Sequence, residues 1–408
     1  YSNYSDYLQS NIGIPRPMVN EGGITKFVVP KIKVYFNGDH ADLRKQIRHG
    51  LASVLLGKII AGTNLQEMVQ NSVLMNLPAW FVQGAIAYAT EPWNTTIDDR
   101  LRDVLLQGNY QNFVELAKKE PKLAGHSLFH FVAQRHGKST ISNLLYLTRI
   151  NRSVENGFLY VFGKSFYQVV GTDWFNFYSN RYNADTKKRR FPNKGALSLT
   201  APKGAIIKNV KISPDSKYIA YTQVFKGVRK LIKFDLESNQ KKTLMSWGER
   251  DFSGEEEPDY PLVEWSENGS SLVIIYEKNN KIRLRYQALG TATKTKEKII
   301  KGIDRVLDFD LSGTTLYLVA TREGHADIYR YNGTLKAITD DFWDEKELSL
   351  ARLGGKVGLL FTSNRTTLSM KPTEFDGKIA PTTVDLFFYD LKAKDQEIKI
   401  LSAPCYLA

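Results

Sequence analysis

The sequence predicts a multidomain α plus all-β protein: a mainly α-helical part followed by the blades of a β-propeller. Three observations lead there. The chain has 408 residues, enough for two domains that each bury a core. Its hydrophobic period changes at Lys187-Lys188-Arg189-Arg190, from about 3.6 residues before this run to two after it. The second part also repeats a turn and its following strands, with copies 53, 44 and 42 residues apart, a length that suits a four-stranded blade. The expected segments are an N-terminal extension (1–26), a helical domain (27–186), a basic linker (187–196) and propeller blades (197–408).

Composition narrows the function classes. Hydrophobic residues make up 42% and charged residues 24%, which fits a globular chain and excludes a disordered or collagenous one. No stretch approaches the 18 consecutive apolar residues of a spanning helix. The net charge is +13, and residues 1–190 carry 23 basic against 14 acidic side chains. Apart from Lys187–Arg190 the basic residues are scattered, with no nucleic-acid-binding motif beside them, so a solvated surface is expected and no nucleic acid partner. Cys405 stands alone, which excludes an internal disulfide and a cysteine-based zinc module. The start, Tyr1-Ser2-Asn3, has no Met, basic run or apolar core of a signal peptide, so it reads as a mature or partial chain.

The elements follow in order. Phe27–Phe36 is β-rich, with Pro30 arguing for an edge or a break. Asp42 to Ile60 places Leu43, Ile47, Leu51, Val54 and Leu55 on one stripe about 120° wide, which predicts a helix packed on that side. Further helices are expected at Leu65–Met75, Trp80–Ala89, Ile97–Leu106, Asn112–Lys118, His126–Arg135, Thr140–Leu147 and Phe166–Tyr182. Asp39 and His40 precede the first long helix as turn and capping residues. In the second part the turns are Ser213–Lys217, Ser266–Ser270, Asp310–Thr314 and Leu353–Lys356. The later strands are Leu231–Leu236, Ile282–Tyr286, Asp327–Tyr331 and Asp385–Leu391. Thr366–Thr382 is an insertion in the fourth repeat, of the kind that emerges as a loop on one face.

The segment Ile212-Ser213-Pro214-Asp215-Ser216-Lys217-Tyr218-Ile219-Ala220-Tyr221 resembles the repeat of TolB-like and dipeptidyl-peptidase-type propellers. Trp265-Ser266-Glu267-Asn268-Gly269 is a weaker copy. Such propellers have six or more blades, so the resemblance implies an open ring here or a protein that continues beyond residue 408.

His49 and Ser53 lie roughly 240° and 280° round the first long helix from Leu43, facing away from the expected packed stripe. Leu77-Pro78-Ala79-Trp80-Phe81-Val82-Gln83-Gly84-Ala85-Ile86-Ala87-Tyr88 resembles the helix carrying the third zinc ligand in the peptidase-MA-like (gluzincin) family. Phe131–Gly137 resembles that family's next helix, and the resemblance covers residues 27–182. Family members hold zinc through His-Glu-x-x-His and a downstream Glu. Here His49 matches the first ligand, while Gly50 stands for the general base, Ser53 for the second His and Gln83 for the third ligand. These four are therefore vestigial site positions. No catalytic residue, metal or cofactor is expected. A plain amphipathic core helix at Trp80–Tyr88 stays open from spacing alone. His126 and His130 are four apart, but no third ligand accompanies them, which favours a structural role. Serine elbows, Walker loops and dinucleotide fingerprints are absent.

The two resemblances together are similar to long envelope proteins of Bacteroidota. They imply an exported, periplasmic or outer-membrane-associated scaffold that is peripheral to the membrane at most. Its expected partners are other envelope proteins in a multiprotein complex. A zinc metallopeptidase with an unusual site and a glycan- or peptidoglycan-binding module are the alternatives.

Overall fold

The computed structural model describes residues 18–21, 24–27, 32, 34–61, 77–108, 110, 112–187, 197, 199–202, 204–248, 260–279, 281–289, 295–369, 381, 383–392 and 398–401. The chain divides into two compact units. One holds Val34–Leu43 and the residues from Leu197 on, and the other holds the first hairpin and Arg44 to Ala196. The expected helix at Leu65–Met75, the run Lys188–Arg190, Cys405 and most of the Thr366–Thr382 insertion lie outside the described residues.

In the helical unit, β1 (Met18–Glu21) and β2 (Ile24–Phe27) pair antiparallel. Of the β-rich stretch expected at Phe27–Phe36, Phe27 ends β2, and the described residues Ile32 and 34–36 form no strand. The helices are α1 (His40–Ala61), α2 (Ala79–Thr90), α3 (Thr95–Leu106), α4 (Phe113–Lys119), α5 (Pro121–His136), α6 (Ser139–Asn151) and α7 (Val154–Phe162). Then α8 (Phe166–Gln168) runs through a π-helical turn, Val169–Trp174, into α9 (Phe175–Thr186).

Side-chain caps set several starts, since the first N–H groups of a helix lack intrahelical partners. Asn94 Oδ1 accepts from Ile97 N at 3.0 Å and Asn112 Oδ1 from Glu115 N at 3.0 Å. Ser165 and Gln168 form a capping box. Asp39 Oδ1 accepts from Ala41 N at 2.8 Å, the capping role its position predicts. An aromatic core of Phe81, Phe129, Phe131, Phe158, Trp174, Tyr178 and Tyr182 ties the unit together.

The packing of α1 differs from expectation. Ile47, Leu51 and Leu55 are exposed, while Leu56 is buried and Ala52 and Ile60 pack on the core. Apolar residues continue most of the way round this helix, so its wheel does not select a side.

The second unit contains four four-stranded antiparallel sheets with sequential strand order. They are β3 (Ile206–Ile212) to β6 (Lys241–Trp247), β7 (Leu262–Trp265) to β10 (Thr295–Ile300), β11 (Arg305–Ser312) to β14 (Leu335–Ala337), and β15 (Glu345–Leu353) to β18 (Ile398–Ile400). Every predicted turn joins the first two strands of a sheet, and every predicted later strand lies on the third. Ser213 shows why: its Oγ accepts from Tyr218 N at 2.9 Å while Asp215 accepts from Lys217 N, so side chains close the turn. Ser266 and Asn268 repeat the arrangement.

The sheets bury apolar side chains on both faces, so β8 (Ser271–Lys278) and β12 (Thr315–Arg322) read as continuous apolar runs. Separate cores fill the spaces between successive sheets. First strands follow one another, β3 beside β7, β7 beside β11 and β11 beside β15. Among the described residues the result is an open row of propeller blades and not a closed ring.

Candidate functional site

His49, Gly50 and Ser53 lie on α1 and Gln83 lies on α2. Helices α2 and α5 cross at two glycines: a Cβ on Gly84 would meet Gly125 Cα at 2.3 Å, and one on Gly125 would meet the Trp80 carbonyl oxygen at 1.9 Å. Hydrogen at both positions lets the backbones touch. The crossing brings Glu91, which caps the C-terminal end of α2, to the first turn of α5. Glu91 pairs with Lys122 at 3.2 Å and with Lys45 of α1 at 2.6 Å. Burial alone would raise the Glu91 carboxyl, but the two ammonium groups outweigh it and hold it below its ordinary value.

His49 lies exposed within reach of these charges. Partial burial, Lys122 and Lys45 lower its imidazole below the ordinary value, against the opposing pull of Glu91. Gly50 sits beneath Ile32, whose Cγ2 would be 2.4 Å from an added Cβ. Ser53 is half-buried on α1, and Gln83 is exposed on α2. His49, Gly50 and Ser53 thus share one helix. The charged groups that act on His49 are Lys122, Lys45 and Glu91, and sequence reasoning did not pair any of them.

His126 and His130 are core residues. His126 is buried edge-on against Trp93 at 5.3 Å, and burial lowers its imidazole to about 4, so it is neutral at pH 7. His130 stacks on Trp93 at 4.3 Å and bonds the Tyr178 hydroxyl at 2.9 Å. That hydroxyl donates to the Ser127 carbonyl at 3.0 Å, so His130 Nδ1 is the donor in their bond. Beside this stack lies a cleft of about 670 Å³ lined by Trp93, Asp98, Asp99, Arg102, Arg181 and Tyr182 among others. Asp98 accepts from Trp93 Nε1 at 3.0 Å and from the Tyr182 hydroxyl at 2.9 Å, with Arg181 at 3.6 Å. Its charges are satisfied within the cleft.

In the blades, one oxygen each of the buried Asp327, Asp341 and Glu345 lies within 4.8 Å of the others. Such a set suits a hard cation in its chemistry. Here the buried Arg365 guanidinium bonds Glu345 at 2.6 Å and Asp341 at 3.0 Å, which makes the cluster an ion network of the fold. Ser363 Oγ also donates to Glu345 at 3.1 Å. Burial pushes Glu345 up to about 8 and Asp327 up to about 6. Next to it, the buried Asp344 accepts from Asn364 at 3.1 Å and meets His40 Nδ1 at 2.5 Å, while Lys346 pairs with Asp39 at 2.6 Å. The sequence signal for this network was Ser363-Asn364-Arg365 at the end of an apolar strand.

No protein-family model matches the chain, and no curated protein does. Among solved structures it is similar to TolB from Acinetobacter baumannii, at 18% identity and TM-score 0.36, over 48% of this chain and 43% of that one. It is similar to dipeptidyl peptidase 4 of Porphyromonas gingivalis at 14% identity and TM-score 0.30, over 47% and 30%. The β-propeller domain of the trilobed protease of Pyrococcus furiosus, described as having an open velcro topology, matches at 18% identity and TM-score 0.29, over 47% and 56%. The matched stretch therefore spans less than half of the TolB chain. The blade assignment rests on the strand order and the succession of first strands given above.

Proposed function

We propose that this chain is a non-catalytic scaffold of the bacterial envelope. Its helical unit is then a peptidase-MA-like domain without catalytic groups, and its blades present surfaces to other envelope proteins. The observation that carries this reading is the ion cluster at His49. A zinc peptidase needs neutral imidazoles and unpaired carboxylates converging on the metal, plus a base for water. Around His49 there are instead two lysines on one glutamate, and Gly50, Ser53 and Gln83 supply neither an imidazole nor a carboxylate. Positive charge beside a lone imidazole works against binding of a second cation. The resemblance of Ile212–Tyr221 to TolB-like repeats supports the envelope location.

The test combines elemental analysis, a protease assay with and without chelator, and cross-linked recovery from the native membrane fraction. The expected result is no stoichiometric zinc, no chelator-sensitive cleavage and recovery within a larger assembly. Stoichiometric zinc that disappears in His49→Ala overturns the proposal.

A further inference from the structure

Helix α1 has two apolar sides, and among the described residues only one packs into the helical core. Ala52, Leu56 and Ile60 pack into the helical core. On the other side Ile47, Leu51, Leu55 and Ile59 are 41, 50, 58 and 48% exposed. Spaced four residues apart, they make a continuous row over three turns, about 18 Å long. Single exposed apolar residues need no explanation, whereas a contiguous row marks an interaction surface.

Charge indicates what that surface meets. At about 100° per residue, Ile47, Leu51, Leu55 and Ile59 fall at roughly 0°, 40°, 80° and 120° round the helix. Lys58, Arg44 and Arg48 fall between them, at roughly 20°, 60° and 100°. Arg48 and Lys58 are exposed and Arg44 is half-exposed. The acidic residue of α1, Asp42, lies outside this sector and accepts from Asn37 Nδ2 at 2.9 Å. The face is therefore an apolar row interleaved with cations and free of carboxylates from its own helix.

We propose that this face of α1 docks on an anionic lipid surface. Isoleucine and leucine tips enter the boundary between headgroups and acyl chains. The Arg48 and Lys58 stems lie along that boundary and carry their charges out to the phosphates. No helix among the described residues is long and apolar enough to cross a membrane, so α1 lies along the surface with its other side held by the fold. A second copy of the chain is a poor occupant, because pairing two such faces sets cations against cations. The surplus of basic over acidic residues in the first part of the sequence adds attraction at longer range.

The experiment is co-sedimentation of the full chain with phosphatidylcholine vesicles, with and without phosphatidylglycerol, across a salt series. The expected result is binding to the phosphatidylglycerol vesicles that weakens with salt. Each of Arg48→Gln and Lys58→Gln should lower it about fivefold. Leu51→Asp with Leu55→Asp should abolish it at an unchanged thermal midpoint, since neither side chain is buried. Neutralising Lys187, Lys188, Arg189 and Arg190 should weaken only the longer-range attraction and leave vesicle binding in place. The proposal is overturned by absence of binding to anionic vesicles, by equal binding of the Asp variant, or by loss confined to the 187–190 variant. A concentration-dependent dimer that the Asp variant dissolves, without vesicle binding, overturns it as well.

Discussion

Replacing Gly125 with alanine sets two opposed effects against each other. Alanine is favoured over glycine within a helix by about 1 kcal/mol, so propensity alone predicts stabilisation. The added Cβ, however, would lie 1.9 Å from the Trp80 carbonyl oxygen and 2.6 Å from Gly84 Cα, where ordinary contact begins at 3.4 Å. The helices would have to separate by about 1.5 Å, and both obstructing atoms are backbone, with no rotamer to yield. Overpacking costs about 1–3 kcal/mol where side chains can adjust, so this backbone collision belongs at or above 3. Separation would also open gaps around Phe81 and Phe129, whose rings lie 5.5 Å apart across the two helices, and lose dispersion there. The net expectation is a loss of at least about 2 kcal/mol in urea denaturation followed by circular dichroism. Gly57→Ala is the control: it lies within α1 with nothing within 4 Å of its added Cβ, and should be neutral or stabilising by up to about 1 kcal/mol. Equal stability of Gly125→Ala and the parent chain would refute the argument, as would a Gly57→Ala variant that loses as much.

Other expectations concern charge. Arg365→Met leaves Asp341 and Glu345 buried without their shared cation and should cost about 3–5 kcal/mol, read by scanning calorimetry; a change under 1 kcal/mol would show that the network is dispensable. The two units should respond to acid with opposite sign. His126 is lowered to about 4 in the fold, so its contribution is lost as pH falls from about 6.5 towards 4. Glu345 and Asp327 are raised to about 8 and about 6, so their contribution is full below about 4 and lost as pH rises through those values. Segment-resolved hydrogen exchange should show α5 gaining protection and β15–β16 (Lys356–Ser363) losing it between pH 5 and 6.5, relative to Glu345→Gln for the blades; parallel slopes would contradict this. Finally, Lys45→Gln with Lys122→Gln should raise the His49 titration, followed by NMR, since both lysines depress it and Glu91 then pulls it upward. An unchanged titration would show that burial alone governs His49.

The parts of the fold legible in the sequence are those fixed by local chemistry. The turn at Ser213–Lys217 is closed by its own side chains, and helix starts at Asn94 and Asn112 are set by residues three positions away. The fourth strands of the sheets were not legible, because Thr295–Ile300 is exposed through its first five residues and carries no alternating pattern. The outward turn of Leu51 and Leu55 was equally hidden: α1 is apolar on both sides, and its own pattern does not choose which side packs on the core. At the candidate site, residue identities were visible while their partners were not. Lys45 and Lys122 reach Glu91 across 46 and 31 residues of sequence, and no spacing rule joins them. Arg365 is similarly brought to Glu345 by the pairing of Glu345 with Ser363 across β15 and β16.

The allocation of Val34–Leu43 bears on how this protein can be dissected. A fragment begun after the basic run, at Leu197, would contain all sixteen described blade strands yet lack Asp39 and His40. Lys346 would lose its counter-ion, and the buried Asp344 would keep Asn364 but not the imidazole or the backbone N–H of His40, which donates at 2.9 Å. Poor behaviour of such a truncation would then reflect an amputated clasp, and supplying the missing decapeptide in trans is the natural rescue.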